Sequence, residues 1–268
     1  MKSVILIFLS FYLVNGFAQE TKLIQEKTDF QVIKYSVLKN NPAIKHGKYQ
    51  ECDYKGKTIE LEGYYKNGQK DSIWTTYSGN GKNITSKGSY LNNLKSGTWT
   101  YYDYSGEKMT KSGNFDHDTL VGIWNFYDLN GTLEQTYDYD KDSLMFAENL
   151  SSDSEYPIVV DGVSQNAVLE RRPSYIGGYN QLIRDIANNL KYPHSALEKN
   201  KQGRITVQLT VKADGQATDF KIVKGFDSAC ENEALRVLNL FKEGWIPAIY
   251  QGRKVDSYYY VPVSFKIQ

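Results

Sequence analysis

GRITVQLTVKADGQATDFKIVKG, residues Gly203–Gly225, carries the alternation that decides the fold of the carboxy-terminal part of the chain. Ile205, Val207, Leu209 and Val211 alternate with Arg204, Thr206, Gln208 and Thr210, the period-two pattern of a strand with one buried face. Asp214-Gly215 turns the chain. The return run, Ala217 to Val223 with Phe220 and Ile222 on one face, must pair antiparallel with the first, because so short a connection allows only a hairpin. Beyond Gly225, Ser228 and Glu231 have capping-box spacing, and Cys230, Ala234, Val237 and Phe241 fall on one face of a helix. That face predicts a helix packed on the hairpin. Trp245-Ile246-Pro247 ends it, Gly252 marks another turn, and Tyr259, Val261, Val263, Phe265 and Ile267 alternate along a last strand. Pro262 has no N–H to donate to a ladder, so this strand is expected at a sheet edge with the Pro262 nitrogen directed away from its neighbour.

Upstream, Leu182, Ile183, Ile186, Ala187 and Leu190 form a helical stripe after Gly177-Gly178, giving a first helix. Tyr192-Pro193, Ala196, Gln202-Gly203, Asp214-Gly215, Glu233-Ala234 with Arg236-Val237, Trp245 with Pro247, Gly252 with Val255, and Pro262-Val263 with Phe265 follow in order. In that order and spacing they resemble the carboxy-terminal domain of TonB, over about 173–268. The resemblance implies two helices on a three-stranded antiparallel sheet, within a unit expected over 157–268. It also implies the capture of a short peptide of an outer-membrane transporter as an added strand. The segment that ends in Tyr-Pro helps hold the peptide in that family; here it is Asn189-Leu190-Lys191-Tyr192-Pro193, with Lys191 where known transducers often have glutamine.

A second pattern occupies 44–142. Tyr49, Trp74, Trp99 and Trp124 are 25 residues apart, and so are Gly56, Gly81, Gly106 and Gly131. Gly63, Gly88 and Gly113 form a further column, as do Tyr65, Tyr90 and Phe115. Ser72 completes the column of Gly47, Gly97 and Gly122, and Cys52 that of Tyr77, Tyr102 and Tyr127. A fixed period of this length signals a repeat architecture. Each unit reads as two short strands, such as Thr98 to Tyr102 and Lys108 to Phe115, joined through Tyr104-Ser105-Gly106, so that the whole stacks as an all-β meander beginning at Tyr49. The G-x-W-x-x-Y core resembles MORN-type repeats of the bacterial antitoxin-like kind, which implies a scaffold or binding surface. In the lead segment, 19–43, Asp29 to Leu38 reads as one more strand. The stretch 143–156 loses the period and reads as a linker. The fold class is thus α+β, an all-β repeat array followed by a helix-on-sheet unit.

At the amino terminus, Lys2, the apolar run Val4 to Val14 and Gly16-Phe17-Ala18 before Gln19 have the form of an export signal cleaved after Ala18, residues 1–18. A run of eleven residues falls short of the roughly 20 that a spanning helix needs. The mature chain is therefore expected in the periplasm, with membrane association only through partners. The chain has six prolines, none clustered, and no second apolar run to act as an anchor. The expectation is peptide binding without the usual energy transduction. Removing Lys2 from the 32 basic residues leaves 31 to balance 31 acidic ones, and a chain without net charge lacks the field that draws in nucleic acid or anionic lipid.

No G-x-S-x-G, Walker loop, H-E-x-x-H or C-x-x-C occurs, so the chain reads as a non-enzyme with no cofactor. Asp138, Asp140 and Asp142 alternate like the start of a calcium loop, but Ser143 replaces its glycine and Asn149 its final glutamate. His46, His117 and His194 lack metal-ligand spacing, and His117 reads as a turn residue. Cys52 and Cys230 read as two separate buried thiols. What remains is protein binding, with candidate contacts at Lys191, Tyr192 and Pro193 and along Ser257, Tyr258, Tyr259, Tyr260, Val261 and Ser264. Tyr259 shares the parity of Val261 and Phe265 and reads as core, whereas Tyr258 and Tyr260 point the other way. A second reading places function on the aromatic repeat surface, as a scaffold of the cell envelope. The export reading has a direct check: amino-terminal sequencing of the mature protein from a periplasmic extract should start at Gln19, and full-length chain in inner-membrane vesicles would contradict it.

Overall fold

The computed structural model describes residues 19–148, 151 and 153–267; the segment expected as an export signal lies outside the described residues. The amino-terminal part consists of β1 (Thr21–Lys27), β2 (Gln31–Leu38), β3 (Asn41–Asp53), β4 (Ile59–Lys66), β5 (Gln69–Tyr77) and β6 (Ile84–Leu91). It continues with β7 (Leu94–Tyr102), β8 (Met109–Asp116), β9 (Thr119–Tyr127), β10 (Leu133–Asp138) and β11 (Ser143–Ala147). All eleven form one antiparallel sheet in sequence order, so every connection is a hairpin. One class of hairpin is tight, with left-handed pairs such as Asn92-Asn93 and His117-Asp118. The other is the longer turn that holds the period's turn glycine, such as Gly106 at φ 71°.

The Gly63, Gly88 and Gly113 column has a different cause, which is space. A Cβ at these positions would stand 2.2, 2.0 and 2.2 Å from the indole rings of Trp74, Trp99 and Trp124 respectively. Each ring lies flat over the glycine of the preceding strand, and each indole N–H donates to the carbonyl one residue beyond it: Tyr64, Ser89 and Asn114. The register shifts at each of these glycines, between Glu62 and Tyr64, Lys87 and Ser89, and Ser112 and Asn114. Before each tryptophan stands another ring, Tyr65, Tyr90 and Phe115, edge-on at 5.3, 5.2 and 5.1 Å to the indole that follows. One face of the sheet is therefore a continuous aromatic ladder, while the other carries polar residues such as Thr98, bonded to Asn114 at 2.8 Å.

Two expectations change here. The strand expected over Asp29 to Leu38 is β2, and the array does not begin at Tyr49, because β1 and β2 precede it in the same sheet and the Tyr35 ring of β2 lies tilted against Tyr49 at 6.4 Å. Only part of this lead was legible, since Thr21–Lys27 is exposed almost throughout and lacks an apolar alternation. The stretch expected as a linker contains β11, which pairs with β10 through Phe146 and Leu144; backbone pairing continues after the sequence period has ended.

The carboxy-terminal part consists of β12 (Tyr156–Val160), β13 (Val163–Ala167), β14 (Ser174–Tyr175), α1 (Gly178–Asn189), α2 (His194–Glu198), β15 (Gly203–Val211), β16 (Ala217–Lys224), α3 (Ser228–Asn239), β17 (Trp245–Ile246), β18 (Ala248–Tyr250) and β19 (Arg253–Phe265). The expected hairpin is β15–β16, and β19 pairs antiparallel with β15 along its length from Val211↔Ser257 to Gly203↔Phe265. The helices cover one face, burying Leu182 and Ile186 of α1 and Cys230, Ala234 and Val237 of α3 on Ile205, Val207, Leu209, Val261 and Val263. Ala187, read as part of the α1 stripe, is exposed. The cap of α3 is Asp227, one residue before the expected Ser228: its carboxylate accepts from the N–H groups of Ala229 and Cys230. The sheet also exceeds three strands, because the β12–β13 hairpin joins it beside β19.

The aromatic ladder yields a stability test. Gly88→Ala should destabilise the fold by about 1–3 kcal/mol through overpacking against Trp99, and Trp99→Ala by about 3–5 kcal/mol, in urea melts. Tyr49→Ala should cost on the order of the same as Trp99→Ala, because Tyr49 has ring neighbours on both sides.

Candidate functional site

Pro262 faces Thr206 in an unbroken antiparallel register. Such pairs alternate between hydrogen-bonded and non-hydrogen-bonded, and a residue without an N–H belongs to the second kind. By that parity the backbone groups of Tyr259, Val261 and Val263 turn toward β15, while those of Tyr258, Tyr260 and Ser264 turn away from it. Asp256 has the same outward parity, and there it meets Val159 of β12. The β12 pairing stops at Ser257, so among the described residues Tyr258 to Phe265 has no strand on its outer side. The last strand is thus internal at Asp256–Ser257 and an edge only from Tyr258 onward, which corrects the expectation of an edge along all of it. The cause is a hairpin whose pairing lies far from β19 in sequence.

The candidate contacts divide accordingly. Ser257 is fully buried between Val211 and Ile158 and is closed to a partner. Val261 is fully buried too, with its backbone directed to β15, and offers a partner strand nothing. Tyr259 packs its ring on Trp245 at 5.0 Å, and burial pushes its phenol up to about 12. Tyr258 and Tyr260 project from the opposite face: the Tyr258 hydroxyl lies 2.9 Å from that of Ser164 in β13, and the Tyr260 hydroxyl accepts from Gln208 at 3.1 Å. Ser264 is exposed on the same face.

Lys191, Tyr192 and Pro193 lie at the far end of this edge, where the Tyr192 ring stands edge-on to Phe265 at 5.5 Å. The segment is pinned from α3. Glu233 accepts from the Lys191 backbone N–H at 2.6 Å and from Arg236 at 2.7 Å, and Arg236 also donates to the Asn189 carbonyl. The Arg236 bond, helped by the Lys191 N–H, outweighs desolvation and holds the Glu233 carboxyl below the usual range.

The near end of the edge opens on a cleft of about 490 Å³ that reaches Tyr156, Arg172, Tyr179 and Tyr259 on one side and Glu134 of β10 on the other. The repeat sheet enters here because it caps α1. The N-cap residue Gly177 has no side chain to cap the helix, and Gln135 accepts from the Gly177 N–H at 2.5 Å while Glu134 accepts from the Asn180 backbone N–H at 3.3 Å and from its side chain at 3.0 Å. Ile246, Trp124, Phe126 and Tyr137 form one buried cluster across the junction. Farther along α1, Arg184 donates to the Tyr127 carbonyl at 2.9 Å, and Asp185 sits beside Lys111 of β8. Burial raises the Asp185 carboxyl, an effect that the Lys111 ammonium opposes, and burial lowers Lys111. The polar side of α1 is thus an internal interface. The apolar stripe of Leu182, Ile183 and Ile186 gives no sign of this second contact, which lies on the other side of the helix.

The remaining candidates are locally engaged. The Asp138 carboxylate is bonded by Lys141, the Asp140 carboxylate by the Gly122 N–H, and Asp142 by the Tyr137 hydroxyl. Cys52 and Cys230 are separate buried thiols, and burial pushes Cys230 up to about 11. Among the described residues no three or more metal-ligating side chains gather, and no helix is long and apolar enough to cross a membrane.

The free edge and the segment that abuts it fall inside one recognisable stretch. Residues 188–267 match the Gram-negative bacterial TonB protein C-terminal family. No curated protein matches the chain. Among solved structures, one described as "Crystal Structure of TarM" is similar at 15% identity and a TM-score of 0.26; the match covers 48% of this chain and 21% of that one.

The pinning of Lys191 gives a pH test. A depressed carboxyl contributes stability that is complete above the unfolded glutamate value of about 4.3 and is lost as the pH falls through the folded value. Glu233→Gln should therefore lower Tm near neutral pH and flatten the acid limb of Tm against pH. It should also speed amide exchange at Lys191.

Proposed function

We propose that this chain is an exported, non-enzymatic protein-binding module of the periplasm. It takes an extended segment of an outer-membrane transporter or another envelope protein as an added strand along Tyr258–Phe265. The observation that carries this reading is the run of backbone on β19 that has no outer neighbour among the described residues, within the stretch that matches the TonB C-terminal family. Strand addition draws its affinity from main-chain hydrogen bonds and its selectivity from alternate side chains. Here the outward N–H groups are those of Tyr258, Tyr260 and Ser264, with Pro262 as a gap, and the side chains beside them are Tyr258, Tyr260 and Ser264 on one face. The β12–β13 hairpin sets one limit of the added strand, and the Tyr192-Pro193 turn stands at the other.

Because Tyr260 directs its N–H outward, Tyr260→Pro should delete one partner hydrogen bond, worth roughly 0.5–1.5 kcal/mol, and leave the β15 pairing intact. Tyr260→Ala keeps that N–H and should retain more of the binding. Partner retention is measured by crosslinking from β19 in intact cells, with cooperative melting verified for each variant. Equal damage from alanine and proline, or wild-type capture by a folded proline variant, would refute strand addition at this edge.

A further inference from the structure

The aromatic face of the repeat sheet has two parts. At its carboxy-terminal end, over Trp124, it is covered by this chain's own Ile176, Ile246 and α1, and Leu120 stands four residues before that tryptophan. One, two and three periods earlier the place of Leu120 is taken by Lys95, Lys70 and Lys45. Each lies over the ring of its own repeat, with the ammonium 4.6 Å from Trp99, 4.4 Å from Trp74 and 5.0 Å from Tyr49. Cation–π contact of this kind holds a lysine in place without neutralising it. Among the described residues none of the three has a carboxylate at ion-pair distance. Between Lys70 and Lys95 the face sinks into a groove of about 230 Å³ floored by Trp74, Tyr90 and Trp99.

The covered end shows what this chemistry accepts. There an amphipathic helix meets the face with an acid, Asp185, beside Lys111, and isoleucines cover the indole. The groove is continuous with that interface, because Tyr101 lines both it and the cleft that holds Lys111 and Asp185. We propose that the uncovered face over Lys45, Lys70 and Lys95 binds an acidic amphipathic helix of a partner protein, extending the surface on which α1 already lies. The three lysines stand on β3, β5 and β7, each two strands from the next, which places successive ones about 10 Å apart. Two turns of helix rise about 10.5 Å. A helix laid across the strands therefore meets all three with acids about seven residues apart and apolar residues between them.

The test titrates the full chain with a synthetic amphipathic peptide that carries glutamates at that spacing, read by calorimetry and by the fluorescence of the repeat tryptophans. Wild type and the Lys70→Arg, Lys95→Arg double variant should bind. The Lys70→Gln, Lys95→Gln double variant should bind about tenfold more weakly or worse. Lys87→Gln, on the opposite face, and Tyr260→Pro should leave binding unchanged. A peptide with glutamine in place of glutamate should lose binding to wild type, which keeps the test valid if the double variant folds poorly. Equal affinity for the two peptides overturns the proposal, as does equal loss from Lys87→Gln. Lysine-dependent binding to phosphatidylglycerol vesicles with none to the acidic peptide also overturns it, and assigns the face to lipid.

Discussion

The packing of an indole flat on a glycine is the contact on which the rest of this structure depends. It occurs at Trp74 on Gly63, Trp99 on Gly88 and Trp124 on Gly113. A single-layer sheet has no second sheet to bury its apolar face, so the large rings must find cover within the sheet itself. Glycine in the neighbouring strand makes the room, and the indole N–H finds a backbone acceptor beside it. Repetition then does what layering does in other folds: each ring has an aromatic neighbour on either side, and Trp74, Trp99 and Trp124 are nearly inaccessible to solvent.

An array of this kind needs an end. At its last tryptophan the repeat contact becomes an interdomain one, since Ile246 and Ile176 join Trp124, Phe126 and Tyr137. Glu134 accepts from the Asn180 backbone N–H in the first turn of α1 and Gln135 from the Gly177 N–H just before it, so the helix N-terminus is completed by the neighbouring sheet. The two parts of the chain are therefore joined through satisfied backbone groups as well as apolar area.

That junction positions the edge of β19. The β12–β13 hairpin pairs with Asp256 and Ser257, the core takes Tyr259, Val261 and Val263, and among the described residues no strand pairs with the outward backbone from Tyr258 to Phe265. An exposed edge is ordinarily a liability that invites uncontrolled pairing. Here Pro262 interrupts its donors, and the hairpin and the Tyr192 turn bound it at both ends, so the edge is short.

Period-two alternation determined β15, β16 and β19 from the sequence alone, and the 25-residue period determined the meander, because both patterns are local consequences of which face of a strand is buried. Pro262 likewise revealed the parity of the edge, since the missing donor is a covalent fact. The glycine columns were legible as positions but not as causes: only the folded sheet shows that Gly106 serves a turn and Gly88 makes room for a ring. Tertiary structure decided the contacts made between elements distant in sequence. Ser257 left the candidate site because a hairpin some hundred residues earlier pairs beside it. Arg184 and Asp185 became interface because a second unit covers them. β1 and β11 joined the sheet through backbone pairing that needs no apolar pattern. Such pairing is made between distant backbones, whose hydrogen-bonding groups are the same in every residue but proline, and so it leaves no mark in the local order of side chains.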